Sequence, residues 1–107
     1  MATPTKISFK PPTTNTDGTP ITLALTYVAF IDKVDPPVKS YPVPAIPVAA
    51  DGTITATFAQ LGFVPVDNVK YFAFVEAVDS AGTSAPSAEV QFIYSVPPNP
   101  PTAPVVS

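Results

Sequence analysis

Sixteen of the 107 residues are proline, and they recur from Pro4 to Pro104. Each proline fixes φ and lacks a backbone N–H, so it breaks a helix and is excluded from the middle of a sheet. A chain punctuated in this way has room for short extended segments. Between the prolines, apolar residues alternate with period two, and Thr, Val, Ile and aromatics predominate, the pattern of half-buried strands. No segment reads as helical.

Residues 5–10 put Ile7 and Phe9 on one face and Lys6 and Lys10 among the residues of the other, and Pro11-Pro12 stops the run. A loop containing Asp17-Gly18 follows over residues 13–20. Residues 21–32 read as a long second strand with Leu23, Leu25, Tyr27 and Ile31 facing the core. Residues 33–47 hold five prolines and suit only an edge strand or extended loop. The turn at Asp51-Gly52 opens a strand whose Ile54, Ala56 and Phe58 point inward. Residues 71–79 and 89–94 supply two more strands around a loop over 80–87. Short strands joined by turns predict an all-β fold, an antiparallel two-sheet β-sandwich of about seven strands. Residues 5–94 form that sandwich, and residues 95–107 form a Pro-rich tail.

Composition narrows the function. The chain has no His, Cys, Trp or Arg. A Ser-His-Asp triad, a thiol nucleophile, a Cys/His zinc site and a disulfide frame are therefore excluded. Five Lys against eight acids leave nucleic-acid binding without an electrostatic basis. Charged residues make up 12% of the chain, about half the usual share, while 46% is apolar. Such a surface suits burial against a partner. No apolar run follows the Lys of the first ten residues, so no secretory signal is expected. The longest apolar stretch, residues 23–31, falls far short of the roughly 20 residues that span a bilayer, and no membrane insertion is expected.

Residues 61–87, LGFVPVDNVKYFAFVEAVDSAGTSAPS, carry a more specific pattern. Tyr71, Ala73, Val75 and Ala77 alternate and are followed by Asp79, Gly82, Ser84 and Pro86-Ser87. This segment resembles the E–F corner, F strand and F–G loop of a fibronectin type III domain, with Leu61 as the leucine before the corner. The physical logic fits: a Tyr opening a central strand can bury its ring and return its hydroxyl to backbone across the corner. Residues 7–12 resemble strand B, with Phe9 where the family usually has Trp, and residues 16–21 resemble the B–C loop. In this register strand A is missing from its normal place, which exposes a sheet edge and part of the core. Residues 97–107 resemble a linker and a strand A, which could fold back, add to a neighbouring copy or remain a disordered end. An alternative register makes residues 7–10 strand A and residues 21–30 strand B.

The acids are spread singly. Asp17 and Asp51 precede Gly and read as turn residues. Asp32 and Asp35 lack calcium-loop spacing. No metal or cofactor site is expected, nor a catalytic one. The stronger signal is apolar. Alternation puts Phe72 and Phe74 on the outer face of their strand, beside Val28 and Phe30 of the neighbouring strand, with Ile93 joining them. A contiguous patch of this kind marks a contact site unless the chain covers it with the loop over 33–47 or the tail. The partner-binding candidates are therefore Val28, Phe30, Phe72, Phe74 and Ile93, with Pro104, Val105 and Val106 of the tail.

The resemblance implies a non-enzymatic structural or adhesion module. A short chain opening with Met, without an export signal and poor in charge, adds an analogy to small virion components of tailed phages, such as capsid decoration and tail proteins. The expected partners are copies of the chain or a viral shell or tail protein. The alternative is a carbohydrate- or cell-surface-binding module of a secreted bacterial protein, for which Tyr41 is the best loop aromatic.

Overall fold

The computed structural model describes residues 3–107. Among these residues seven strands form two antiparallel sheets: β1 (Lys6–Phe9), β2 (Thr26–Asp32), β3 (Ser40–Pro42), β4 (Ile54–Thr57), β5 (Val69–Asp79), β6 (Gly82–Thr83) and β7 (Val90–Tyr94). β1 pairs with β4 in one sheet. In the other, β5 lies between β2 on one side and β6 and β7 on the other, and β3 adds to β2. The all-β sandwich is thus present.

The core forms where the inward residues of both sheets meet. Ala29 and Ile31 of β2, Ile54 and Ala56 of β4, and Tyr71, Ala73 and Ala77 of β5 are all buried. Strict alternation on β5 keeps Tyr71, Ala73 and Val75 against the core and turns Phe72 and Phe74 away from it. Five rings concentrate at one end. Phe63 lies edge-on to Phe58, Tyr71 and Tyr41, with centroids 5.0, 5.1 and 5.4 Å away. Phe92 stacks on both Phe58 and Tyr71, at 5.7 and 5.5 Å. Such pairs contribute about 0.5–1.5 kcal/mol each beyond the area they bury. The Tyr71 hydroxyl accepts a hydrogen bond from the Val66 N–H at 2.8 Å, fastening the corner to the central strand.

Several expectations from sequence need correction. A single helical turn, α1 (Phe58–Leu61), follows β4. Its Thr57 and Gln60 bond reciprocally to each other's backbone N–H as a capping box, and Gly62 closes it at φ 75°, in the left-handed region. Alternation could not reveal this turn because Phe58 stays buried, in phase with Ile54 and Ala56. β2 begins at Thr26, five residues later than expected from residue 21. The preceding stretch is irregular, and Leu23 is 44% exposed instead of facing the core. β7 begins at Val90, and Gly82–Thr83 adds a two-residue strand inside the expected loop. Tyr41 lies in β3 with its ring on Phe63, so it is no loop aromatic.

The interval between β6 and β7 shows how the chain tolerates Pro86 beside a central strand. The Ser84 and Ser87 hydroxyls accept hydrogen bonds from the Ala77 and Val75 N–H groups, each at 2.9 Å. The Ser84 and Ser87 N–H groups in turn donate to the carbonyls of Ala77 and Val75. Side chains thereby continue a ladder that regular strand geometry does not.

At the other end of β7, the Thr3 hydroxyl donates to the Ser95 carbonyl at 2.9 Å, tying the approach to β1 against the exit from β7. The Val96 N–H donates to Asp67. Beyond that point every residue is exposed and none forms a hydrogen bond among the described residues. The molecule measures 74 × 32 × 21 Å, with a radius of gyration of 18.0 Å. A compact chain of this length has a radius of about 13 Å. The difference is the tail, which extends away from the sandwich.

Candidate functional site

Two apolar surfaces stand out. The first is the expected one, on the solvent side of β2 and β5. Register places Phe30 opposite Phe74, Val28 opposite Glu76, and Asp32 opposite Phe72. The Phe30 and Phe74 rings pair at 5.0 Å between centroids. All four apolar residues are half-buried. Ile93 lies opposite Lys70 on β7, and Gln91 stands opposite Phe72, so Ile93 sits at the margin of the patch.

The chain supplies part of the cover for this face. Lys70 Nζ stands over the Phe72 ring, 5.5 Å from its centroid. The β2–β3 connection is gathered by the buried Asp32, whose carboxylate accepts from Lys33 N–H at 2.8 Å and Val38 N–H at 3.4 Å. Pro37 within it is buried. Its Asp35 reaches Glu89, just before β7, and the hydrogen bond between their carboxyls holds the Glu89 pKa above its ordinary value. Tyr41, Val43 and Ile46 of the proline-rich segment pack on the core.

The second surface is a seam between the two sheets. Among the described residues, β1 pairs only with β4, and its other edge is free. Along that edge two clefts follow one another. One, of about 270 Å³, lies between Ile7 of β1 and Ala73, Val90 and Phe92. The other, of about 580 Å³, lies between Phe9 of β1 and Tyr27, Val75 and Ala77 of the larger sheet, with Leu25 of the β1–β2 connection also lining it. Phe9 and Tyr27 pack at 5.1 Å, and burial pushes the Tyr27 hydroxyl pKa up. Ile7, Phe9, Ala73 and Phe92 along the seam are residues that alternation turns inward, as is Val90, which is 58% exposed. Sequence reasoning anticipated the exposed edge, but it read Tyr27 only as core-facing and did not single out Val90 or Phe92.

Pro104, Val105 and Val106 lie on the exposed tail and do not join the pair formed by Phe30 and Phe74. Val105 and Val106 are each 93% exposed, and the tail does not fold back over either surface. The acids have local roles. Asp17 accepts from the Thr19 hydroxyl and N–H, and Asp51 from the Thr53 N–H, which lowers both carboxyl pKa values. No helix among the described residues is long and apolar enough to cross a membrane.

No family model matches the chain, and no curated protein or solved structure matches it.

Proposed function

We propose that the chain is a non-enzymatic structural module with a fibronectin type III-like sandwich, which joins a larger assembly through its aromatic sheet face and its tail. One observation carries the reading: an uncharged tail stands clear of the sandwich with two valines almost fully exposed. Exposed apolar segments of this kind are stabilised by contact with a partner. The family resemblance is supported by the corner hydrogen bond from Val66 to the Tyr71 hydroxyl and by a β1–β4 sheet facing β3, β2, β5 and β7. The place in nature that suits such a module is a virion, as a capsid decoration or tail protein, by analogy alone. The carbohydrate-binding alternative rested on Tyr41, whose ring is committed to Phe63.

The mass of the chain in solution across a concentration series tests this reading, with Phe74→Ser as the comparison. The expected result is an assembly that Phe74→Ser weakens while the variant keeps a cooperative unfolding transition. A variant that no longer folds would place Phe74 in the chain's own packing and remove the sheet face from the proposal.

A further inference from the structure

The seam beside β1 has the dimensions and chemistry of a missing strand. Phe58 N–H donates to the Thr5 carbonyl, so Thr5 directs its backbone toward β4. Backbone direction alternates along a strand, so Ile7 and Phe9 follow Thr5 toward β4, and Lys6 and Ser8 direct their N–H and C=O groups to the free edge. No described residue bonds to these groups, and beneath them the seam is lined by Ile7, Phe9, Val90 and Phe92. An edge that offers both a hydrogen-bond ladder and an apolar trough accepts an added strand.

We infer that this edge takes residues 102–107 from the tail of a second copy of the chain, a conclusion that rests on the assembly reading above. Those residues are Thr102, Ala103, Pro104, Val105, Val106 and Ser107, an uncharged segment with two β-branched valines. Six extended residues span about 20 Å, enough to run the length of β1. The tail of the same copy is poorly placed to do so. It leaves beside Thr3, at the foot of β1, and would have to reverse within Pro97-Pro98-Asn99-Pro100-Pro101. Such a segment adopts stiff polyproline geometry, which projects the tail outward instead. A neighbouring copy needs no reversal.

Proline also sets the register. Pro104 has no N–H, so in an antiparallel pairing its backbone faces away from β1, while Ala103, Val105 and Ser107 face Lys6 and Ser8. Directly opposite residues in an antiparallel pair share a face, and Ser8 is on the solvent face, where its hydroxyl meets Thr55. Val105 then points to solvent, and Pro104 and Val106 point into the trough. The two adjacent valines, equally exposed in the single chain, acquire opposite roles.

The full chain is the material for the test, by analytical ultracentrifugation over a concentration series and amide hydrogen exchange. The expected result is an oligomer in which the Lys6 and Ser8 amides exchange about tenfold or more slowly than at dilutions where the chain is single. Val106→Asp dissociates it, Val105→Asp does not, and Ser8→Pro dissociates it while the monomer stays folded because the lost N–H faces the free edge. An oligomer that survives Val106→Asp but dissolves with Phe74→Ser would overturn the strand addition and leave the assembly reading standing. A full chain that is single at every concentration, with freely exchanging Lys6 and Ser8 amides, would overturn it outright. Binding of the chain to a shell protein in that case would preserve the assembly reading alone.

Discussion

The sheet face around Phe30 and Phe74 and the seam around Phe9 and Phe92 are both apolar and both half-exposed, but for different reasons. On the face, the sandwich is complete beneath the rings, and Lys70 stands over one of them. In the seam, inward residues lie at an interior that one sheet does not close, because β1 has a neighbour on one side only. Similar exposure in the two places therefore has different energetic meaning. Removing a ring from the face subtracts a surface contact, whereas removing one from the seam opens the core.

That distinction can be broken by substitution. Phe92→Ala should cost the most, about 3 kcal/mol, because the ring stacks on both Phe58 and Tyr71. Phe74→Ala should cost about 1 kcal/mol, the worth of one exposed aromatic pair. Urea unfolding measures both, and equal losses would abolish the comparison. Tyr71→Phe falls between them at about 1–2 kcal/mol, since it leaves the Val66 N–H without its partner while preserving the stacked ring. Its effect should appear as a lower unfolding midpoint at an unchanged slope.

The smallest effect is expected at Glu89, just before β7. Glu89 has a raised pKa because of its hydrogen bond with Asp35, so the protonated form is favoured in the folded state. The contribution is fully present below the unfolded pKa and is lost as pH rises through the folded value. Glu89→Gln should therefore stabilise the chain modestly near pH 7 relative to the native residue, with the advantage fading as pH falls into the carboxylate range. Thermal unfolding from pH 3 to 7 reads this directly, and an advantage that is constant with pH would detach the connection from β7.

Much of the sandwich was legible because period-two alternation is a local signal. It located β1, β4 and β5 and put Tyr71, Ala73 and Val75 inward without knowledge of the partner strands. It failed where tertiary contact decides. Residues 21–25 alternate well enough to read as strand, yet β5 is paired on that side only as far as Thr26 opposite Val78. The turn at α1 was hidden because one helical residue can keep the phase of the preceding strand. The outward set of Val28, Phe30, Phe72 and Phe74 followed from parity alone. The place of Lys70 over the Phe72 ring did not, because it depends on how one long side chain turns. The free edge of β1 followed from the family register, in which no strand A flanks residues 7–10, whereas the depth of the trough beneath it depends on how far the sheets close.

The bond between Thr3 and Ser95 has a mechanical consequence. The segments entering and leaving the sandwich meet at one end, so tension between them peels the contact open one bond at a time and never shears β1 along its length. Such a unit hangs from whatever it is attached to as a pendant and makes a poor link in a string under tension. Force spectroscopy with handles at those two positions should open it at low load.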